Sequence, residues 1–192
     1  MNMKTGKQII QIAVLCGVIG FSPAKDSRAG QTGETDKQYV KSSDLRFVDL
    51  NNGVIFDTRT NLMWMKKDYW QLEKEWVNWY TAQQYTQSMN NKNFAGHSDW
   101  RLPTPKEAES LYNRRRRNLD KNGDKIYIDP IFPKGAGWAT WTSNEKKGNA
   151  MVVSFKNKGG KFFQNKISGT DAFFRLVRGP VSNPGKRHLD NL

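Results

Sequence analysis

The densest chemical signal in this 192-residue chain is a run of four arginines, Arg114, Arg115, Arg116 and Arg117. Consecutive guanidiniums point in different directions whatever the backbone does. Some must meet bulk solvent, and their planar forks match the oxygens of sulfate or phosphate. Lys146, Lys147, Lys156, Lys158, Lys161 and Lys166 follow on stretches that read as loops and strand ends, and extend the positive region. The chemistry on offer is ion pairing with an anionic polymer. A solvated basic rim with no specific partner is the plain alternative.

Other groupings invite a catalytic or metal reading and fail on spacing. His97-Ser98-Asp99 holds the residue types of a hydrolase triad, yet triads converge from distant segments. It reads as a turn, with Asp99 accepting from nearby amides or from Arg101. Glu107 and Glu109 stand two apart on an expected helix and so do not share a face. Asp120, Asn122 and Asp124 alternate like calcium-loop ligands, but Lys125 and Ile131 stand where an EF-hand needs Gly and Glu. A turn at Asn122-Gly123 is the simpler reading; a looser calcium site drawing on Asp129 stays open. The two histidines, His97 and His188, are too few for a multi-histidine centre. No catalytic residue, metal or cofactor is expected, and the chain reads as a non-enzyme.

The elements that must position the cations are legible nearby. Thr104-Pro105 with Glu107 three residues after the threonine is a capping box with proline at the first helical position. A helix therefore starts at 105, with Ala108, Leu111 and Tyr112 on its apolar side. Leu72, Trp76, Trp79, Tyr85 and Met89 fall near one face of an earlier helix, over 72–89. Residues 46–49 and 54–58 read as strands about Asn51-Asn52-Gly53, a hairpin-turn signature, and 61–65 as a third. The last third reads as antiparallel strands at 138–142, 150–155, 161–164 and 173–178. The fold class is α+β: two main helices with antiparallel sheets.

Charge is distributed unevenly. Residues 25–100 hold 10 basic and 10 acidic side chains, whereas residues 101–192 hold 19 against 8, a net of +11 out of +13 for the chain. An excess confined to one half points to a polyanion-facing surface: acidic or sulfated glycan, nucleic acid or anionic membrane. Residues 1–24 pair a lysine-bearing start with an apolar run and Ser22-Pro23-Ala24, as a secretory signal peptide does. The run is too short to be a membrane anchor. Export argues against a nucleic-acid partner and places the protein in the periplasm, at the cell surface or outside the cell. The one cysteine, Cys16, lies inside that leader, with Leu15 rather than a small residue before it, so lipidation is not expected. The mature chain would then lack thiol chemistry and disulfides. Residues 25–44 read as a flexible tether, 45–179 as one domain and 180–192 as a polar tail.

The stretch Gly96-His97-Ser98-Asp99-Trp100-Arg101-Leu102-Pro103-Thr104-Pro105 resembles the central motif of the Lcl C-terminal domain family. Arg46-Phe47, Gly53-Val54-Ile55-Phe56-Asp57, Thr60-Asn61-Leu62-Met63-Trp64, Asp129-Pro130-Ile131-Phe132-Pro133, Trp141-Thr142-Ser143 and Arg175-Leu176-Val177-Arg178-Gly179 continue it in order. The resemblance implies a C-type-lectin-like fold and a surface or periplasmic location. In the family's namesake it implies adhesion to sulfated polysaccharide and a trimeric habit, so a homo-oligomer is conceivable here. Many relatives carry a cysteine pair where this chain has Thr86 and Leu176. Sugar triplets that ligate calcium in C-type lectins are absent, so glycan would be held by charge. The implied superfold also hosts oxidoreductases that depend on cysteine, which the mature chain lacks. Trp64, Trp79, Trp100 and Trp141 match core positions; Trp70, Trp76 and Trp138 do not, and are the better candidates for a glycan or protein contact. The expected function is adhesin-like binding of acidic polysaccharide, or else an envelope module that docks an acidic protein partner.

Overall fold

Turn chemistry at Asn51–Gly53 sets the first sheet. Asn51 and Gly53 both take positive φ, 58° and 88°, the left-handed region that asparagine and glycine tolerate best. The chain thereby folds β2 (Phe47–Asp49) back onto β3 (Val54–Asp57). Asn61, at φ 56°, turns β3 into β4 (Leu62–Met65). The computed structural model describes residues 39–156, 159–169 and 173–179. The expected leader and tail, 1–24 and 180–192, lie outside them.

The first sheet has the order β1-β2-β3-β4-β10, antiparallel throughout, and contains the first and last strands among the described residues, β1 (Val40–Lys41) and β10 (Val177–Arg178). The end of the expected tether is therefore a strand: Val40 pairs with Asp49 and Lys41 with Val48. Two-residue alternation sends Ile55 and Trp64 to one face and Val54 and Met65 to the other. Both faces are covered, by two apolar clusters. Ile55 and Trp64 meet Ala108, Leu111, Ile126 and Phe132; Val54 and Met65 meet Tyr69, Trp79, Ala82, Trp100 and Trp141.

The single helix expected over 72–89 is two. α1 (Tyr69–Glu73) starts in a capping box of Asp68 and Gln71 and stops at Lys74, which takes a left-handed φ of 63°. α2 (Trp79–Asn91) restarts under a cap from the Asn78 side chain to the Thr81 amide. The apolar spacing runs through the break, which is why periodicity alone merged them. α3 (Pro105–Leu111) begins in the Thr104–Glu107 box, as expected. Among the described residues, three α-helices rather than two thus complete the α+β domain.

Beyond α3, β5 (Asn118–Leu119) and β6 (Lys125–Ile126) form a small hairpin whose turn carries Gly123 at φ 82°. A second sheet follows, in the order β7 (Ala139–Lys146), β8 (Asn149–Ser154) and β9 (Lys161–Asn165). β7 runs four residues past the expected end, with a register shift between Trp141 and Glu145. Strand pairing expected over 173–178 survives only at Val177–Arg178. Phe173 and Phe174 instead accept from the Trp141 and Tyr69 amides through backbone carbonyls, tying this segment to β7 and α1.

Candidate functional site

The arginine run sits in the loop leaving α3, where Asn113 organises the turn. Its amide donates to the Tyr127 carbonyl at 2.8 Å, and its side chain accepts from the Arg115 amide at 3.0 Å. Arg116 folds back onto the domain. Its Nη2 lies 2.5 Å from Asp44 Oδ2 and its Nε 3.1 Å from the buried Asp129. Burial raises the Asp44 pKa, but hydrogen bonds from Arg116, Ser42 and the Arg46 amide outweigh it and bring the carboxyl down to about 2. Arg117 lies 4.6 Å over the Tyr127 ring and donates to the carbonyls of Arg114 and Arg116. Arg114 and Arg115 are exposed, and no acid pairs with either among the described residues. The run therefore divides: Arg116 and Arg117 shape the loop, while Arg114 and Arg115 face solvent.

The lysines divide in the same way. Lys156 bridges Asp124, at 3.1 Å, and the buried Asp120, at 3.7 Å. Its hydrogen bond to Asp124 raises its pKa. Lys161, opposite Val153 at the start of β9, pairs with Glu109 on α3 at 2.8 Å. These two share an end of the domain with the arginine loop: the Tyr127 amide donates to the Phe155 carbonyl, and a Cβ on Gly159 would lie 3.7 Å from the Tyr112 ring. Lys146 and Lys147 are exposed at the tip of the β7–β8 hairpin, the other end of the second sheet. Lys166 is buried: it pairs with Glu145 and lies 4.5 Å over Trp79. It is a packing residue, not an extension of the patch. Lys158 lies outside the described residues.

The remaining expectations resolve by contact. Asp99 pairs with Arg178, at 2.6 Å to Nε, and not with Arg101. Arg101 instead grips both oxygens of Glu107 at 2.7 and 2.8 Å. Asp120 and Asp124, candidates for a calcium loop, hold the Lys156 ammonium between them, and Asp129 holds Arg116. Each of these carboxylates thus lies beside a cation of the chain itself, Lys156 or Arg116.

Trp70, Trp76 and Trp138, on separate segments, converge around Phe173 with ring centroids 6.2, 5.2 and 6.5 Å away. Sequence reasoning missed Lys121, whose ammonium lies 4.7 Å over Trp70 and 4.4 Å over Trp76, and Phe162, stacked 6.2 Å from Trp138. The signal was faint. All three tryptophans fall outside the shared motif, but nothing local announces that the β5–β6 turn crosses them.

The model of the Lcl C-terminal domain matches residues 53–178. The chain belongs to the Lcl C-terminal domain family. The match spans the first sheet from the Gly53 turn, all three helices, the arginine loop and the second sheet up to β10 of this Lcl C-terminal domain. No curated protein and no solved structure matches the chain.

Proposed function

We propose that this Lcl C-terminal domain is a non-catalytic binding module, exported from the cell, that recognises anionic polysaccharide through the basic surface beside α3. The observation that carries the reading is the division of the arginine loop. Asp44, Asp129 and Tyr127 hold Arg116 and Arg117, so the loop is built rather than frayed, and it presents Arg114 and Arg115 without acid partners among the described residues. A preorganised fork loses less freedom on meeting sulfate or carboxylate than a floppy one. The engagement of Asp99 with Arg178 supports a structural role for the His97 turn. A C-type-lectin-like arrangement is part of the proposal, supported by the return of β10 to pair with β4 in the first sheet.

The test is retention of the full chain on immobilised heparin under a rising salt gradient, with Arg114→Ala/Arg115→Ala as the comparison. Ion pairing releases counterions, so retention should fall steeply with salt and the variant should elute earlier. Equal elution of the two would remove the assigned site. A second reading, docking to an acidic protein partner in the envelope, draws on exposed Phe163 and Ile167, 47% and 72% accessible on and beside β9. A stoichiometric protein captured from envelope extract, with no glycan retained, would favour it.

A further inference from the structure

Six of the seven tryptophans fall into two groups by what their indole N–H groups do, while the N–H of the fully buried Trp64 finds no acceptor among the described residues. Trp79, Trp100 and Trp141 donate to the carbonyls of Thr142, Phe94 and Val77. Trp70, Trp76 and Trp138 make no such bond among the described residues, although each is at least partly accessible. A buried indole ordinarily spends its N–H on a partner, and one left open at a surface is ready for a ligand.

These open indoles are also contiguous. Trp70 and Trp76 lie 5.2 Å apart, Trp76 is 5.2 Å from Phe173, Phe173 is 6.5 Å from Trp138, and Trp138 is stacked at 19° on Phe162. Phe173 is buried and serves as the floor, while Trp76 and Phe162 are 40% and 39% accessible. The floor is set by close packing: a Cβ on Gly137 would fall 2.1 Å from the Phe173 ring. The charge over the rings is positive. Lys121 hydrogen-bonds Asn122 Oδ1 at 3.0 Å and has no acid partner among the described residues, so its charge over the two indoles is not neutralised. At the other end Lys156 lies 5.6 Å over Trp138 but is already paired with Asp120 and Asp124. Lys156 also joins this surface to the end of the domain that holds the arginine loop.

We propose that Trp70, Trp76, Trp138 and Phe162 form a stacking platform for a pyranose ring of an acidic polysaccharide, with Lys121 meeting its carboxylate or sulfate. The apolar C–H face of a sugar packs on an aromatic ring, its hydroxyls accept from open indole N–H groups, and its acidic substituent meets the uncompensated ammonium of Lys121. This rests on the polysaccharide reading above and adds what charge alone cannot supply, selection of a ring.

The experiment titrates the full chain, by calorimetry and tryptophan fluorescence, with a heparin hexasaccharide, a hyaluronan hexasaccharide that carries carboxylate only, and neutral dextran. Each is run at low and high salt. Trp76→Ala and Trp138→Ala should weaken binding of an acidic hexasaccharide about five- to tenfold at both salts, since ring stacking is not screened. Trp76→Phe keeps a ring but no N–H and should recover part of the loss seen in Trp76→Ala, which separates the lost ring from a damaged fold. Arg114→Ala/Arg115→Ala should weaken binding chiefly at low salt. Heparin binding alone assigns sulfate to Lys121; binding of hyaluronan as well assigns carboxylate. Dextran bound as tightly as the acidic sugars would overturn the role of Lys121. Acidic sugars bound equally by wild type and both alanine variants, but less by the arginine variant, would overturn the platform and leave the basic surface standing. No binding by wild type would overturn both. A concentration-dependent dimer abolished by Trp76→Ala would reassign the surface to a second copy of the chain.

Discussion

Arg175 is a guanidinium sealed inside the domain, 2% accessible. It donates to the carbonyls of Met65 and Lys66 and lies 4.7 Å over Phe132. Burial lowers its pKa and the charge of Asp68 opposes that; burial likewise raises the pKa of Asp68, opposed by Arg175. No direct ion pair joins the two among the described residues, but each buried charge offsets the other. Losing one partner of a close buried pair, about 3–5 kcal/mol, is the upper bound on what removing either would cost. Arg175→Met should lower the urea midpoint accordingly, and adding Asp68→Asn should recover part of the loss. A loss below about 1 kcal/mol, the range of an exposed pair, would show that Asp68 does not depend on Arg175. At this scale the sequence is readable where partners are close along the chain. Thr104 and Glu107 cap α3 because three residues separate them. The partner of Asp99 was not readable: Arg178, 79 residues away in sequence, reaches it because Val177 pairs with Arg101 in an antiparallel bridge.

Helix boundaries behave differently from helix existence. The apolar stripe over 72–89 is real, but local backbone chemistry at Lys74 and Asn78 cuts it. Lys74 holds a left-handed conformation that glycine adopts without steric cost, so Lys74→Gly should stabilise the domain by about 0.5–1 kcal/mol in a thermal melt. A lowered midpoint would mean that the lysine side chain, not the backbone, governs the break. In α3, burial raises the Glu107 pKa, but the Arg101 pair and the Thr104 amide outweigh it and hold the carboxyl below its ordinary value. A depressed carboxyl binds protons less readily folded than unfolded. Its contribution is complete above the ordinary glutamate value near 4.5 and is lost as pH falls through the depressed one. Glu107→Gln should therefore destabilise the domain at neutral pH and flatten the decline of stability below that value. Parallel acid titrations of the two proteins would expose the difference; identical slopes would exclude Glu107 as a source of acid sensitivity.

Across the whole molecule, sequence placed the positive charge in the second half but could not say which cations remain free. That depends on which acids the fold brings alongside: Asp44 from the first sheet, Glu109 from α3, Asp120 and Asp124 from the β5–β6 turn. Of the cations that the sequence assigned to the site, what survives among the described residues is two exposed groups on opposite ends of the second sheet. Lys146 pairs in register with Asn149, and Lys161, beside the arginine loop, pairs with Val153 four residues along β8. At about 3.4 Å per residue those levels lie about 14 Å apart, and the exposed side chains extend farther. An acidic disaccharide seated at the arginine loop cannot also reach the hairpin tip, whereas a long chain can. Disaccharide affinity should therefore drop in Arg114→Ala/Arg115→Ala and stay unchanged in Lys146→Ala/Lys147→Ala. Affinity for the full-length polymer should drop in both, and each pair should reduce the salt dependence by roughly two counterions if both cations engage. Equal sensitivity of the disaccharide to both pairs would mean that the two ends act as one surface, and the separation seen along β8 would not govern binding.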